Sequence, residues 1–154
     1  MAVEDIPFHR LTETRGAAAV INALEKDNLN LDVALIAPAL RVEEFLHENF
    51  QKLGVPFGLF HDILSRFEDR YGYEIHRDNP ARLIKTLGCP LMILHDEKDH
   101  IVPFAGSAQA ADSNSAISLI GTQDLGHTRI LFEPETIDAV LSYLFKTESR
   151  VSNL

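Results

Sequence analysis

Two short stretches hold most of the side chains able to do chemistry. The first is His95-Asp96-Glu97-Lys98-Asp99-His100-Ile101-Val102-Pro103, with two histidines and three carboxylates in nine positions. The second is Asp124-Leu125-Gly126-His127-Thr128-Arg129. A carboxylate set against an imidazole fixes its tautomer and stabilises the imidazolium, so the histidine can take a proton from a nucleophile. Asp99 and His127 are the candidates for that pair. The cluster from His95 to His100 also has donors that suit a metal ion. Acidic loops are commoner than metal sites, so the metal-binding module is the lesser alternative.

The elements around these stretches decide whether the pair can meet. Pro90 to His95 is a short apolar run and reads as a strand buried on both faces, as in parallel sheets. Asp99 then lies in the loop at that strand's C-terminal end, where open α/β sheets bind ligands. Ala116 to Ile120 reads as the next strand, and His127 falls in the loop after it. A third buried strand, Val33 to Ala37, ends at Pro38. Helical periodicity fills the intervals. Ala17, Val20, Ile21 and Leu24 share one face, and Val42, Phe45, Leu46, Phe50 and Leu53 share another. Phe60, Ile63, Leu64, Phe67 and Tyr71 form a third face, expected to be core. Asn79-Pro80 is a helix start, with that helix expected to run to Gly88. Pro103 to Ala111 is an alanine-rich helix, with Ser107 expected on its surface. Ile137, Val140, Leu141, Leu144 and Phe145 mark a C-terminal helix opened by Glu133-Pro134-Glu135. Strands separated by helices give an α/β class with a short parallel sheet.

Composition narrows the partners. The chain has 154 residues, enough for one domain with a core, and 45% of them are hydrophobic. A formal net charge of −9 argues against nucleic acid and against an anionic membrane surface. The single cysteine, Cys89, excludes an internal disulfide and is expected to pack at a strand entry. Met1 to Arg10 has no apolar region of a signal peptide, and no run is long enough to span a bilayer, so a cytoplasmic location is the default expectation.

Together these motifs resemble the α/β-hydrolase superfamily, of the serine esterase or acyl-hydrolase type. Pro90 to Pro103 is similar to the acid-bearing strand and loop of that family, where an Asp is followed two residues later by a Val-Pro pair. Gly126-His127 resembles its histidine loop, and the order acid then histidine agrees. The resemblance covers Gly16 to Phe145 and makes residues 41–76 a helical cap inserted within a single domain, 1–154. It implies ester or acyl-transfer chemistry on a small ester-like substrate, with Asp99 and His127 as the acid and histidine of a Ser-His-Asp triad and no cofactor. The family's G-x-S-x-G elbow is absent. Its place reads Thr12-Glu13-Thr14-Arg15-Gly16, with Thr14 where the serine should stand and Gly16 matching the last glycine.

Four expectations follow from the resemblance. The chain resembles a truncated hydrolase that starts at its nucleophile elbow, without the preceding strands and half of the oxyanion hole. It is weak or inactive alone; the alternatives are a non-enzymatic homologue acting through binding or assembly, and a fragment needing an upstream half. Asp99 and His127 come within roughly 2.6–3.2 Å of each other. Finally, Ile6 to Leu11 makes a poor strand because Pro7 cannot donate to a ladder, leaving Val33 to Ile36 as an open apolar edge. That edge predicts a homodimer, or complementation by a missing N-terminal half.

Overall fold

Alternation along two short apolar strands sets the architecture. The computed structural model describes residues 10–12, 16–29, 31–72 and 74–146. In chain order the elements are β1 (Arg10–Thr12), α1 (Ala17–Lys26), β2 (Val33–Ile36), α2 (Val42–Lys52) and α3 (Phe57–Tyr71). They continue with α4 (Pro80–Leu83), β3 (Leu91–Asp96), α5 (Ala105–Ser113), β4 (Ile117–Thr122), α6 (Gly126–Arg129) and α7 (Pro134–Lys146). The strands form one parallel sheet in the order β1-β2-β3-β4. Val33 and Leu35 of β2, with Leu91 and Ile93 of β3, point into a core built with Ala17, Ile21 and Leu24 of α1 and Leu83, Ile84 and Ala110. Ala34, Ile36, Met92 and Leu94 point the other way, into a second core with Ile130, Val140 and Leu144. The period-two geometry of a strand thus divides one apolar run between two layers. One helix of each crossover, α1, α4 and α5 in turn, packs on the same face, as right-handed connections between strands in sequential order require.

The sheet has four strands where the periodicity indicates three. Arg10, Leu11 and Thr12 pair in parallel with Val33, Ala34 and Leu35, so the expected open edge of β2 is covered. A ladder needs only main-chain donors and acceptors, so the polar character of Arg10 and Thr12 does not prevent pairing; Pro7 lies outside the described residues. Two other expectations are corrected. Asn79 does cap α4, with Oδ1 accepting from the Ala81 amide at 2.9 Å. The helix nevertheless closes after one turn and does not reach Gly88. Residues to Thr86 continue in tighter turns, and the Thr86 hydroxyl donates to the Leu83 carbonyl. In α3 only Phe60 is buried; Phe67 and Tyr71 are 49% and 63% exposed. They face a groove of about 1310 Å³ between α1 and the pair α2 and α3, so this aromatic face is groove wall more than core. No helix among the described residues is long and apolar enough to cross a membrane.

Asn114 ties the crossover layer to β4. Its Nδ2 donates to the carbonyls of Ile84 and Leu87, and its Oδ1 accepts from the Ala116 amide, all within 3.0 Å. Asn114→Ala leaves three part-buried backbone groups without this partner and is expected to destabilise the protein by about 1–3 kcal/mol, read as a lowered urea midpoint. An unchanged midpoint would show that water replaces the amide at no cost.

Candidate active site

β3 and β4 run in register from Leu91 opposite Ile117 to Asp96 opposite Thr122, so the loops after them leave the sheet side by side. The first loop turns immediately: Asp99 N donates to Asp96 O at 3.1 Å. The second bends through two left-handed residues, Asp124 (φ 66°) and Gly126 (φ 65°), the latter opening the single turn of α6. This brings His127, expected in a loop, back over the end of β3 on a short helix. Its Nδ1 lies 2.6 Å from Asp99 Oδ2. Asp99 is buried, and its carboxylate can only accept, so Nδ1 of His127 carries the proton.

Asp99 is held from several sides. Its Oδ1 accepts from the amides of Ile101 and Val102 at 2.8 and 2.9 Å. Burial pushes its pKa up, but the Val102 amide, the His127 ring and the Ile101 amide together outweigh burial and bring it below the usual carboxylate range. Beneath it lies His95, fully buried, with Nε2 3.3 Å from Asp99 Oδ2 and 3.0 Å from the Val102 carbonyl. A carbonyl accepts only, so Nε2 carries a proton. Nδ1, 2.7 Å from Ser107 Oγ, is then the acceptor in the neutral ring. Ser107 is accordingly buried, not on the surface of α5 as its alanine-rich surroundings suggest.

Asp96, given no specific part by the motif reading, fastens the two loops together. Its Oδ1 accepts from the Lys98 amide, and its Oδ2 accepts from Thr122 Oγ1 and the Leu125 amide, all at 2.9–3.0 Å. Burial raises its pKa, but the bonds from Leu125, Thr122 and Lys98 prevail and lower it. Glu97 N to Thr122 O and Lys98 Nζ to Asp124 Oδ1 complete the seam. The only available signal for Asp96 was its position as the last residue of an apolar strand, where a buried carboxylate needs several donors.

The cluster from His95 to His100 does not converge as metal donors would. His95 and Asp96 turn inward on opposite duties, while Glu97 and His100 are exposed. Among the described residues, no group of three or more histidines, cysteines or carboxylates could hold a metal ion. Cys89 is buried in the core, where burial pushes its thiol pKa up. Thr14 lies outside the described residues; Thr12 ends β1 and Gly16 precedes α1.

The chain matches no protein-family model and no curated protein. Solved structures do resemble it. A putative non-heme bromoperoxidase, BpoC, from Mycobacterium tuberculosis superposes with a TM-score of 0.60 at 12% identity, over 92% of this chain and 67% of that one. The α/β-hydrolase domain-containing protein 10 from mouse gives 0.61 at 17% identity, over 97% and 64%. A meta-cleavage product hydrolase from Pseudomonas fluorescens gives 0.59 at 18% identity, over 91% and 65%. The chain thus has an α/β-hydrolase fold in part: a small parallel sheet flanked by helices, spanning about two thirds of the length of these structures.

Two outcomes follow from the geometry. Asp96→Asn must place its NH2 against either the Leu125 or the Lys98 amide, donor against donor, and is expected to lower stability by about 1–3 kcal/mol in urea unfolding; an unchanged midpoint would contradict the seam. The second concerns pH. Burial lowers the His95 pKa, against the opposing pulls of the Val102 carbonyl and Asp99. The unfolded chain takes up this proton below about pH 6.5, so the His95 contribution is complete above that value and is lost as pH falls toward the depressed folded pKa. The Asp96 and Asp99 contributions have the same sign but begin to fall only below about pH 4. The loss of stability between about pH 7.5 and about pH 5.5 is therefore expected to be smaller in His95→Gln than in the wild type; an equal loss would contradict a buried neutral ring.

Proposed function

We propose that this protein is an esterase-like member of the α/β-hydrolase superfamily that retains the acid and histidine of a Ser-His-Asp triad as Asp99 and His127. The observation that carries the reading is the 2.6 Å contact between His127 Nδ1 and Asp99 Oδ2 at the C-terminal ends of adjacent strands. Asp99 orients the ring, and the far nitrogen, Nε2, serves as general base toward a nucleophile and then as general acid toward the leaving group. The nucleophile position is Thr14, which falls in sequence between β1 and α1. No G-x-S-x-G stands there, and threonine nucleophiles usually rely on a different base, so the chain is weak or inactive alone. Residues 41–76, with α2 and α3, act as the cap, and the groove they share with α1 offers apolar walls for the substrate. The substrate is a small ester or acyl compound.

An activated nitrophenyl ester tests the enzymatic half. The expected result is slow turnover, no more than the roughly 10³–10⁴-fold over water that incomplete triads retain, falling further in His127→Ala. Robust turnover abolished by Thr14→Ala with the fold intact would overturn the claim of weakness. Turnover that survives Thr14→Ala and dies in His127→Ala would place the nucleophile elsewhere.

The reading extends to assembly. β1 is three residues long and, among the described residues, pairs only with β2. Its outer side is the place for a second copy or for a chain carrying further strands. Light scattering behind size exclusion is expected to give more than one chain's mass at micromolar concentration; a stable monomer would remove this part of the proposal.

A further inference from the structure

A buried histidine at the end of β3 has no part in the motif that points to Asp99 and His127. His95 is enclosed on every side. Ser107 Oγ of α5 meets its Nδ1, the Val102 carbonyl meets its Nε2, and the Phe104 ring stands edge-on at 5.7 Å between centroids. An apolar side chain would fill this space without the cost of burying an imidazole, so the ring's hydrogen bonds are the feature to explain. They lead to Asp99 by two routes. The Nε2 proton anchors the Val102 carbonyl, and the Val102 and Ile101 amides of the same turn hold Asp99 Oδ1. The same nitrogen stands 3.3 Å from Asp99 Oδ2, the oxygen that takes the His127 bond. Asp99 therefore sits between two imidazoles, one below it in the core and one above it at the site.

We propose that His95, held as a neutral ring by Ser107, is a positioning residue that sets the Asp99 carboxylate for His127. The proposal rests on the reading of Asp99 and His127 as the working pair. Ser107 donates to Nδ1, which leaves the proton on Nε2, where both the turn and the carboxylate need it. The groups facing His95 are Ser107 from α5, and Phe104, Asp99 and the Val102 carbonyl from the segment between β3 and α5. His127, on α6, faces the other side of Asp99. With a single anion between the two rings, one proton per ring suffices for the chain of contacts.

The readout is the His127 Nδ1 proton, followed by nitrogen-15-edited NMR as its exchange with water, with backbone amide spectra checking the fold. His95→Leu removes the donor and is expected to speed that exchange about fivefold or more, the opening that loss of one net hydrogen bond permits. His95→Gln carries an N–H at nearly the position of Nε2 and is expected to stay near the wild-type rate. Ser107→Ala frees the ring's tautomer and is expected to give an intermediate rate; it is the deciding variant if His95→Leu does not fold. Unchanged exchange in a folded His95→Leu, or in Ser107→Ala where His95→Leu fails to fold, overturns the proposal. So does a His95→Gln that behaves like His95→Leu, because space-filling and not the donor would then matter. Ester turnover is not read here, so robust turnover abolished by Thr14→Ala would count against the function proposed above while leaving this positioning role standing.

Discussion

A buried carboxylate is tolerable only when its oxygens are met by donors, and Asp99 imposes that constraint on everything around it. Two amides, one imidazole proton and a second imidazole at 3.3 Å surround it. To bring those donors together the chain must turn sharply after β3, bury a histidine, and return after β4 through two left-handed residues. Removing any one of these leaves negative charge in the interior without its partners. The lowered pKa of Asp99 expresses the same balance, with hydrogen bonds overcoming the penalty of burial.

The sheet supplies the rigidity this arrangement needs. β2 and β3 are buried on both faces, and β3 and β4 stay in register to their last residues. Asp96 then carries the register beyond the strands, because one carboxylate accepts from both loops. His95 and Asp96 are neighbours in sequence with opposite assignments. One turns inward to support the acid; the other fastens the loop that carries the histidine.

Much of this frame is legible in the sequence. Short apolar runs reveal β2, β3 and β4, and the spacing of Asp99 to Val102-Pro103 and of Gly126 to His127 singles out the pair. What escapes has physical reasons. Arg10 to Thr12 pairs through its backbone, which leaves no trace in side-chain pattern. Ser107 lies in a helix of alanine, glycine, serine, glutamine and a single aspartate whose faces barely differ in polarity, so nothing marks its buried side. His95 and Asp96 look like the start of a solvated acidic loop, because satisfaction of a buried polar group depends on partners distant in sequence, such as Ser107, Thr122 and Leu125. Phe67 and Tyr71 carry the periodicity of a core face yet line a groove, since the periodicity shows that a face is apolar but not what covers it.

The central claim is that Asp99 and His127 act as one coupled unit, and a double-mutant cycle on folding stability measures that coupling most directly. Asp99→Asn, His127→Gln and the double variant are compared with the wild type by urea unfolding near neutral pH. A part-buried, charge-assisted bond of 2.6 Å predicts that the two substitutions are not additive, with a coupling of about 1 kcal/mol or more. Additivity within about 0.3–0.5 kcal/mol would mean that the two side chains do not interact in the folded protein, and would contradict the account.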